Sequence, residues 1–334
     1  MVAAVVAVAS IGSVATQSHV QPSQAVGHAV TASTSEQAAR ATAPEIELTQ
    51  HRGVIVGDGQ TIYLANRTEF RPRRLEVTLP PRVRARAWAV VDLASGRLIG
   101  EHDARRWLPQ ASTMKLLTAV TAANNHHLLL PHEVTRFEAH QTCTCAGLAI
   151  SHPYTLKTLM EGMLLPSGND AAEALAGSHP RGHDGFYAAM NRTARRLGAR
   201  DTVARNASGL TAAGSHSSAR DLVILLRSAL HHPVVRQVMA MRSALIASVD
   251  GRRQHTVWRG TDYVNLYPHS LGKSGYTTPA GNTLVVATRM GGHHIAVAVM
   301  HAPYGYVTSD ARKLTEWAAA NFAGLGRVGR LPHS

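Results

Sequence analysis

Short, nearly continuous apolar runs stand at 87–91, 284–288 and 295–300, and between the first and the other two apolar residues recur at every third or fourth position. Residues 1–15 are an apolar, Ala- and Val-rich segment, and residues 16–44 are rich in Ser, Thr, Ala and Gln with few large apolar side chains. The second stretch reads as a linker that cannot bury a core. Within 45–82, Val54-Ile55-Val56 and Thr61-Ile62-Tyr63-Leu64 flank Gly57-Asp58-Gly59 and predict a small hairpin of unassigned role. Ala87-Trp88-Ala89-Val90-Val91-Asp92 predicts a strand that turns through Ser95-Gly96 into a return strand at Leu98. After Pro109 a helix begins at Ser112, with further helices to Leu130. Helical spacing recurs over 156–165, 171–176 with Asp170 as its cap, 184–197, and from Ser218 to about Leu230. A linking stretch leads to a strand at 271–277, two strongly apolar strands at 284–288 and 295–300, and an amphipathic helix over 309–322. The expected fold class is α/β (α+β): one sheet from N- and C-terminal segments, with helices inserted between.

Charge and cysteine content narrow the function classes. Lys and Arg outnumber Asp and Glu 34 to 21, giving net +13. No basic run carries interleaved aromatics, so nucleic acid is not an expected partner, while an anionic wall polymer suits the balance. Segment 1–15 ends in Ser13-Val14-Ala15, a small-residue end that fits a secretory signal, although no Lys or Arg precedes it. The expected location is therefore outside the cytoplasm: at the outer face of the membrane, in the wall, or secreted. Membrane contact is expected only through this segment, if it stays uncleaved. Cys143 and Cys145, one residue apart, match no zinc or redox spacing. A bridge between them would be strained, and the pair is open to either redox state.

The candidate chemistry starts at Ser112-Thr113-Met114-Lys115. Three residues apart at a helix start, Ser112 and Lys115 share a face. The helix N-terminus favours a developing oxyanion, and a Lys amine desolvated among Leu side chains can accept the Ser proton. Alone this spacing is weak, because short motifs arise by chance. Two further motifs come after it in order. In Ser167-Gly168-Asn169 a hydroxyl can relay a proton and an amide can hold Lys115 and substrate. In Lys273-Ser274-Gly275 an ammonium and a hydroxyl suit a substrate carboxylate, and Gly permits close backbone approach. The N–H of Tyr276 would complement that of Ser112 around an oxyanion.

This ordered set resembles the signature of penicillin-binding proteins and class A β-lactamases, Ser-x-x-Lys followed by Ser-Asp-Asn and Lys-Thr-Gly. From about Ala85 to Phe322 the sequence resembles the serine D-alanyl-D-alanine carboxypeptidases. It does so also in Leu164-Leu165-Pro166 before the second motif, in Asp170-Ala171-Ala172 after it, in Ser217-Ser218-Ala219-Arg220-Asp221-Leu222, and in Tyr276-Thr277. Ser274 stands where that family usually has Thr. The resemblance implies a β-lactamase/penicillin-binding-protein-like antiparallel sheet flanked by helices, with a catalytic domain over 83–324, a basic tail over 325–334 and no C-terminal β-domain. It implies Ser112, Lys115, Ser167 and Asn169 as catalytic residues, and Lys273, Ser274, Gly275, Tyr276 and Thr277 as substrate-binding ones. The substrate would be a peptidoglycan stem peptide ending in D-Ala-D-Ala, the covalent inhibitors β-lactams, and the working form a monomer with no metal or organic cofactor.

Competing readings are a β-lactamase, a DD-endopeptidase or transpeptidase on the same fold, a non-catalytic wall-binding protein, and a zinc peptidase. A class A lactamase needs a Glu to activate water, and none of Glu173, Asp184, Asp201, Asp221, Asp250 or Asp262 lies in a Glu-x-x-Leu-Asn loop. The 20 His include doublets at 126–127, 231–232 and 293–294 but no His-Glu-x-x-His. Arg253 and Arg259 are candidates by position alone to assist Lys273.

Overall fold

Every residue of 87–92 is buried, although a strand with one wet face would alternate. The cause is a sheet covered on both sides. The computed structural model describes the backbone of 54–57 and 60–63, and residues 80–322 apart from 126, 143, 261–265 and 268. Segments 1–15 and 16–44 and the tail 325–334 lie outside the described residues.

The main sheet has seven strands. From the N-terminal segments come β1 (Val54–Gly57), β2 (Gln60–Tyr63), β3 (Ala87–Asp92) and β4 (Arg97–His102). From the C-terminal segments come β9 (Leu271–Thr277), β10 (Gly281–Met290) and β11 (His293–Ala302). The order is β1-β2-β4-β3-β11-β10-β9, with every pair antiparallel. The two chain halves meet where β3 pairs β11, with Val90 opposite Val297. The strand β9 is left at the edge. The predicted hairpin joins the opposite edge, with Thr61 opposite Glu101.

Alternation along β3 sorts its side chains into two cores. Trp88 and Val90 pack with Leu314, Trp317 and Ala318 of α8 (Val307–Asn321). The Asp310 carboxylate of that helix accepts from the Arg84 and Ala85 amides at 2.9 and 2.8 Å. Ala87, Ala89 and Val91 face the larger core beneath the inserted helices. Those are α1 (Lys115–Asn125), α2 (Arg136–Ala139), α3 (Leu156–Leu164), α4 (Asn169–Gly177), α5 (Gly182–Leu197), α6 (Ala219–His231) and α7 (Pro233–Ala240). Two small hairpins accompany them: β5 (Pro131–Glu133) with β6 (Pro153–Thr155), and β7 (Ser243–Ala247) with β8 (Gln254–Trp258).

Three sequence expectations need correction. No helices continue to Leu130: α1 ends at Asn125, in an Asn pair of low helix propensity, and 128–130 turn into β5. Asp170 is not the cap of α4; that position is Gly168, and Asp170 sits in the first turn. The linking stretch before β9 holds α7, which starts at Pro233, and the β7–β8 hairpin, which turns at Asp250-Gly251. Of the two redox states open to the cysteines, Cys145 takes the disulfide-bonded one, and Cys143 lies outside the described residues.

Candidate active site

The chain enters the site through Ala111, whose φ of +49° is left-handed and strained for a residue with a Cβ. Neighbouring backbone and hydroxyl groups hold it there. The Gln110 carbonyl accepts from Thr113 Oγ1 at 2.6 Å and from Thr283 Oγ1 at 3.1 Å. Gly209, at φ +81°, packs so closely on the Ala111 carbonyl that a Cβ there would lie 2.0 Å from its oxygen. A 3-10 turn, Ala111–Met114, then carries Ser112 and runs directly into α1 at Lys115.

Lys115 is fully buried. Its Nζ donates to Ser112 Oγ at 2.9 Å, Asn169 Oδ1 at 2.6 Å and the Ser208 carbonyl at 2.7 Å. Three acceptors match the three N–H bonds of an ammonium. Burial above all, and next the charge of Lys273, push the amine well below its ordinary range, while Glu173 and Asp170 push the other way. In the neutral form two N–H bonds can stay on Asn169 and Ser208, which leaves the lone pair aimed at Ser112.

Asn169 opens α4 and is itself buried. Its Nδ2 donates to the Thr142 carbonyl and its backbone N–H to the Thr144 carbonyl at 2.8 Å. With Nδ2 on a carbonyl, the amide can turn only its oxygen to Lys115. The neighbouring Asp170 accepts from the amides of Ala146, Gly147 and Leu148 at 2.7, 2.9 and 3.1 Å. This fastens the loop that carries the Thr142 and Thr144 carbonyls. Ser167, two residues before Asn169, stands at φ +68° and is half-buried. Its hydroxyl makes no hydrogen bond among the described residues.

The edge strand β9 closes the site. Lys273 is buried, with Nζ donating to the Ser274 carbonyl at 2.8 Å. At Gly275 the strand presses on the turn that carries Ser112: a Cβ there would lie 2.6 Å from Ser112 N and 3.0 Å from Ala111 Cβ. The Tyr276 side chain is exposed, and Thr277 Oγ1 accepts from Thr211 Oγ1 at 3.3 Å. Three motifs far apart in sequence thus meet around Ser112.

The sequence profile of the D-alanyl-D-alanine carboxypeptidases, peptidase family S11, matches residues 75–304. The chain belongs to that family. It is 35% identical to D-alanyl-D-alanine carboxypeptidase DacB2 of Mycobacterium tuberculosis over 71% of this chain and 81% of the relative. It is 28% identical to D-alanyl-D-alanine carboxypeptidase DacD of Salmonella typhimurium, covering 73% of this chain and 65% of that one. The crystal structure of the D-alanyl-D-alanine carboxypeptidase from Mycobacterium tuberculosis superposes with a TM-score of 0.69 at 34% identity, over 73% of this chain and 94% of the other.

Other family-like residues serve the scaffold. Ser218 caps α6, accepting from the Asp221 amide at 3.2 Å. Arg220 binds Glu101 of β4 through two hydrogen bonds, at 3.1 and 3.0 Å. Asp221 accepts from the Asp201 amide and the Thr202 hydroxyl, both at 2.7 Å. Of the candidate arginines, Arg259 is engaged elsewhere, its Nη1 donating to the Met239 carbonyl at 3.0 Å, while Arg253 is exposed just after the β7–β8 turn, with its backbone bonded to Ser248. Sequence reasoning missed the partners of Lys115 and Asn169 that are backbone carbonyls, at Ser208, Thr142 and Thr144. The only hint was the turn-forming Asn206-Ala207-Ser208-Gly209.

Proposed function

We propose that this chain is a serine-type D-alanyl-D-alanine carboxypeptidase that removes the terminal D-Ala of peptidoglycan stem pentapeptides, with residues 83–324 as its catalytic unit. The observation that carries the reading is the placement of Lys115 Nζ between Ser112 Oγ and two fixed acceptors. Ser112 Oγ attacks the carbonyl carbon of the penultimate D-Ala and its proton passes to Lys115. The N–H groups of Ser112 and Tyr276 hold the oxyanion. The C–N bond breaks as Ser167 relays the proton held by Lys115 to the departing D-Ala amine, which leaves Lys115 neutral and Ser167 a hydroxyl again. Water then hydrolyses the ester and restores Ser112. Lys273, Ser274 and Thr277 receive the terminal carboxylate, and the free edge of β9 accepts the peptide as an added strand. β-Lactams, which offer a strained amide beside a carboxylate, acylate Ser112. The chain works outside the cytoplasm as a monomer, where its substrate and a basic protein's anionic surroundings are found.

The test is release of D-Ala from a pentapeptide, together with intact mass after exposure to a penicillin. The wild type gains one drug mass, mapped to Ser112, and S112A gains none. An adduct that persists in S112A overturns the nucleophile assignment; no D-Ala release from the acylable wild type overturns the carboxypeptidase reading.

A further inference from the structure

One buried carboxylate beside this site takes no part in the proposed reaction steps. Glu173 lies one turn beyond Asn169 on α4 and is 1% exposed. Its Oε1 accepts from the Ala207 amide at 3.0 Å and the Ser208 amide at 2.9 Å. Its Oε2 accepts from the Tyr187 hydroxyl at 2.6 Å. The same loop turns back on α1 twice, where the Ser208 carbonyl accepts from Lys115 Nζ at 2.7 Å and the Ala207 carbonyl from Thr118 Oγ1 at 2.6 Å. Glu173 thus grips the N–H of the residue whose carbonyl grips the base.

We propose that Glu173 is a positioning residue with two tasks: its carboxylate clamps 207–208 so that Ser208 directs the Lys115 lone pair at Ser112, and its negative charge is the counter-charge to Lys115 across that loop. The proposal rests on Lys115 being the base. Burying a carboxylate is costly, and a neutral amide would accept the same two N–H groups. The charge therefore has an effect that the clamp does not need. Lys115 feels Lys273 from β9, which disfavours its ammonium, and Glu173 and Asp170 from α4, which favour it. Asp170 is turned to the 146–148 amides. Around Glu173 stand Lys115 on α1 and Tyr187 on α5, and Asp184 and Glu138 also act on Tyr187. The Tyr187 hydroxyl is pushed far upward by burial and then by Glu173, so it stays a donor throughout.

Acylation needs neutral Lys115, so its rate rises with pH through the titration of that amine. Removing the Glu173 charge disfavours the ammonium and moves this acid limb to lower pH. Acylation of Ser112 by a penicillin is timed on the full chain from about pH 5 to about pH 10, with thermal melting alongside. Glu173→Gln keeps the Oε1 acceptor, and Tyr187 can reverse its hydroxyl, so the plateau should stay near wild type while the limb moves down. Glu173→Ala loses the clamp as well, and its plateau should fall about 10- to 100-fold. Glu173→Asp keeps the charge but withdraws it by one methylene, so its limb should stay near wild type with a lowered plateau. This arm reads the charge even if the Gln variant fails to fold. A limb unmoved in Glu173→Gln, or moved equally in Glu173→Asp, overturns the electrostatic role. A wild-type plateau in Glu173→Ala overturns the clamp. Wild-type acylation by Lys115→Ala would instead remove the parent assignment, whatever the Glu173 variants do.

Discussion

Replacing Gly275 by Ala tests the closeness on which the site depends. The added Cβ would meet Ser112 N at 2.6 Å, and Ala111 Cβ and Thr283 Oγ1 at 3.0 Å each. Ordinary contact begins near 3.4 Å, so β9 and the Ser112 turn must part by about 0.8 Å. None of the three atoms can swing aside, because one is backbone, one is a Cβ, and the Thr283 hydroxyl shares its one proton between the Gln110 and Gly275 carbonyls, each at 3.1 Å. The strand cannot recede freely, since it is paired with β10 from Leu271 through Thr277. Neither can the turn, whose Ala111 carbonyl abuts Gly209. The displacement therefore falls on Ser112 and on the two N–H groups proposed to hold the oxyanion. Overpacking of this kind costs about 1–3 kcal/mol of stability. A shift near 1 Å at reacting atoms costs roughly 100-fold in rate. Stopped-flow acylation by a fluorescent penicillin, beside a urea melt, reads both. Acylation within threefold of wild type would show that the strand and the turn are not tightly coupled, and the oxyanion geometry drawn from this contact would fall.

Asn169→Ala should slow acylation roughly 100-fold, because Lys115 loses one fixed acceptor and its lone pair is no longer aimed; an unchanged rate by the same assay refutes that. Asp221 is raised from 3.8 to about 6, first by burial. The folded chain therefore holds this proton more tightly than the unfolded one, and the resulting stability is complete below pH 3.8 and lost as pH rises through about 6. Asp221→Asn removes that term, so the stability of wild type relative to the variant should fall by about 3 kcal/mol across this window in urea melts; a flat difference refutes it. The penicillin adduct of the wild type should persist by intact mass after free drug is removed, and rapid regeneration of unmodified protein would contradict the reading that Lys115 is the sole base at Ser112 among the described residues.

How much was legible depended on where the chemistry resides. The roles proposed for Ser112, Lys115, Ser167, Asn169 and Lys273 reside in side chains, so residue type and spacing were enough to propose them. Of these, Ser167 is placed beside the site without a hydrogen bond to it. The partners that aim Lys115 and Asn169 are carbonyls of Ser208, Thr142 and Thr144, and any residue type supplies a carbonyl. Strand β3 was readable because both its faces are covered, which makes the run continuously apolar. The hairpin β7–β8 was harder, since three of the five positions in Ser243–Ala247 are only partly buried or exposed. Glu173 was visible only as one carboxylate among several. Its meaning lies in Ala207 and Ser208, which are 34 and 35 residues away.

The carboxylates also bear on deacylation. Releasing a lactam ester quickly requires a base that can activate water beside it. Glu173 and Asp170 are buried, and their oxygens are turned to backbone amides and Tyr187. Asp201 faces Arg105 and Trp107, and Asp221 faces Asp201 N and Thr202. Asp250 binds Ser248 and His152 at the β7–β8 turn, and Asp184 lies exposed at the start of α5. Asp262 lies outside the described residues. On the proposed mechanism the base next to Ser112 is then Lys115, returned to neutrality once the leaving amine has taken the proton. For a stem peptide this suffices, because D-Ala departs and water can take its place. A ring-opened lactam keeps its leaving nitrogen tethered in that same space. On the proposed roles, the arrangement that lets one amine serve both half-reactions with a peptide is therefore also the one that traps the enzyme with a lactam.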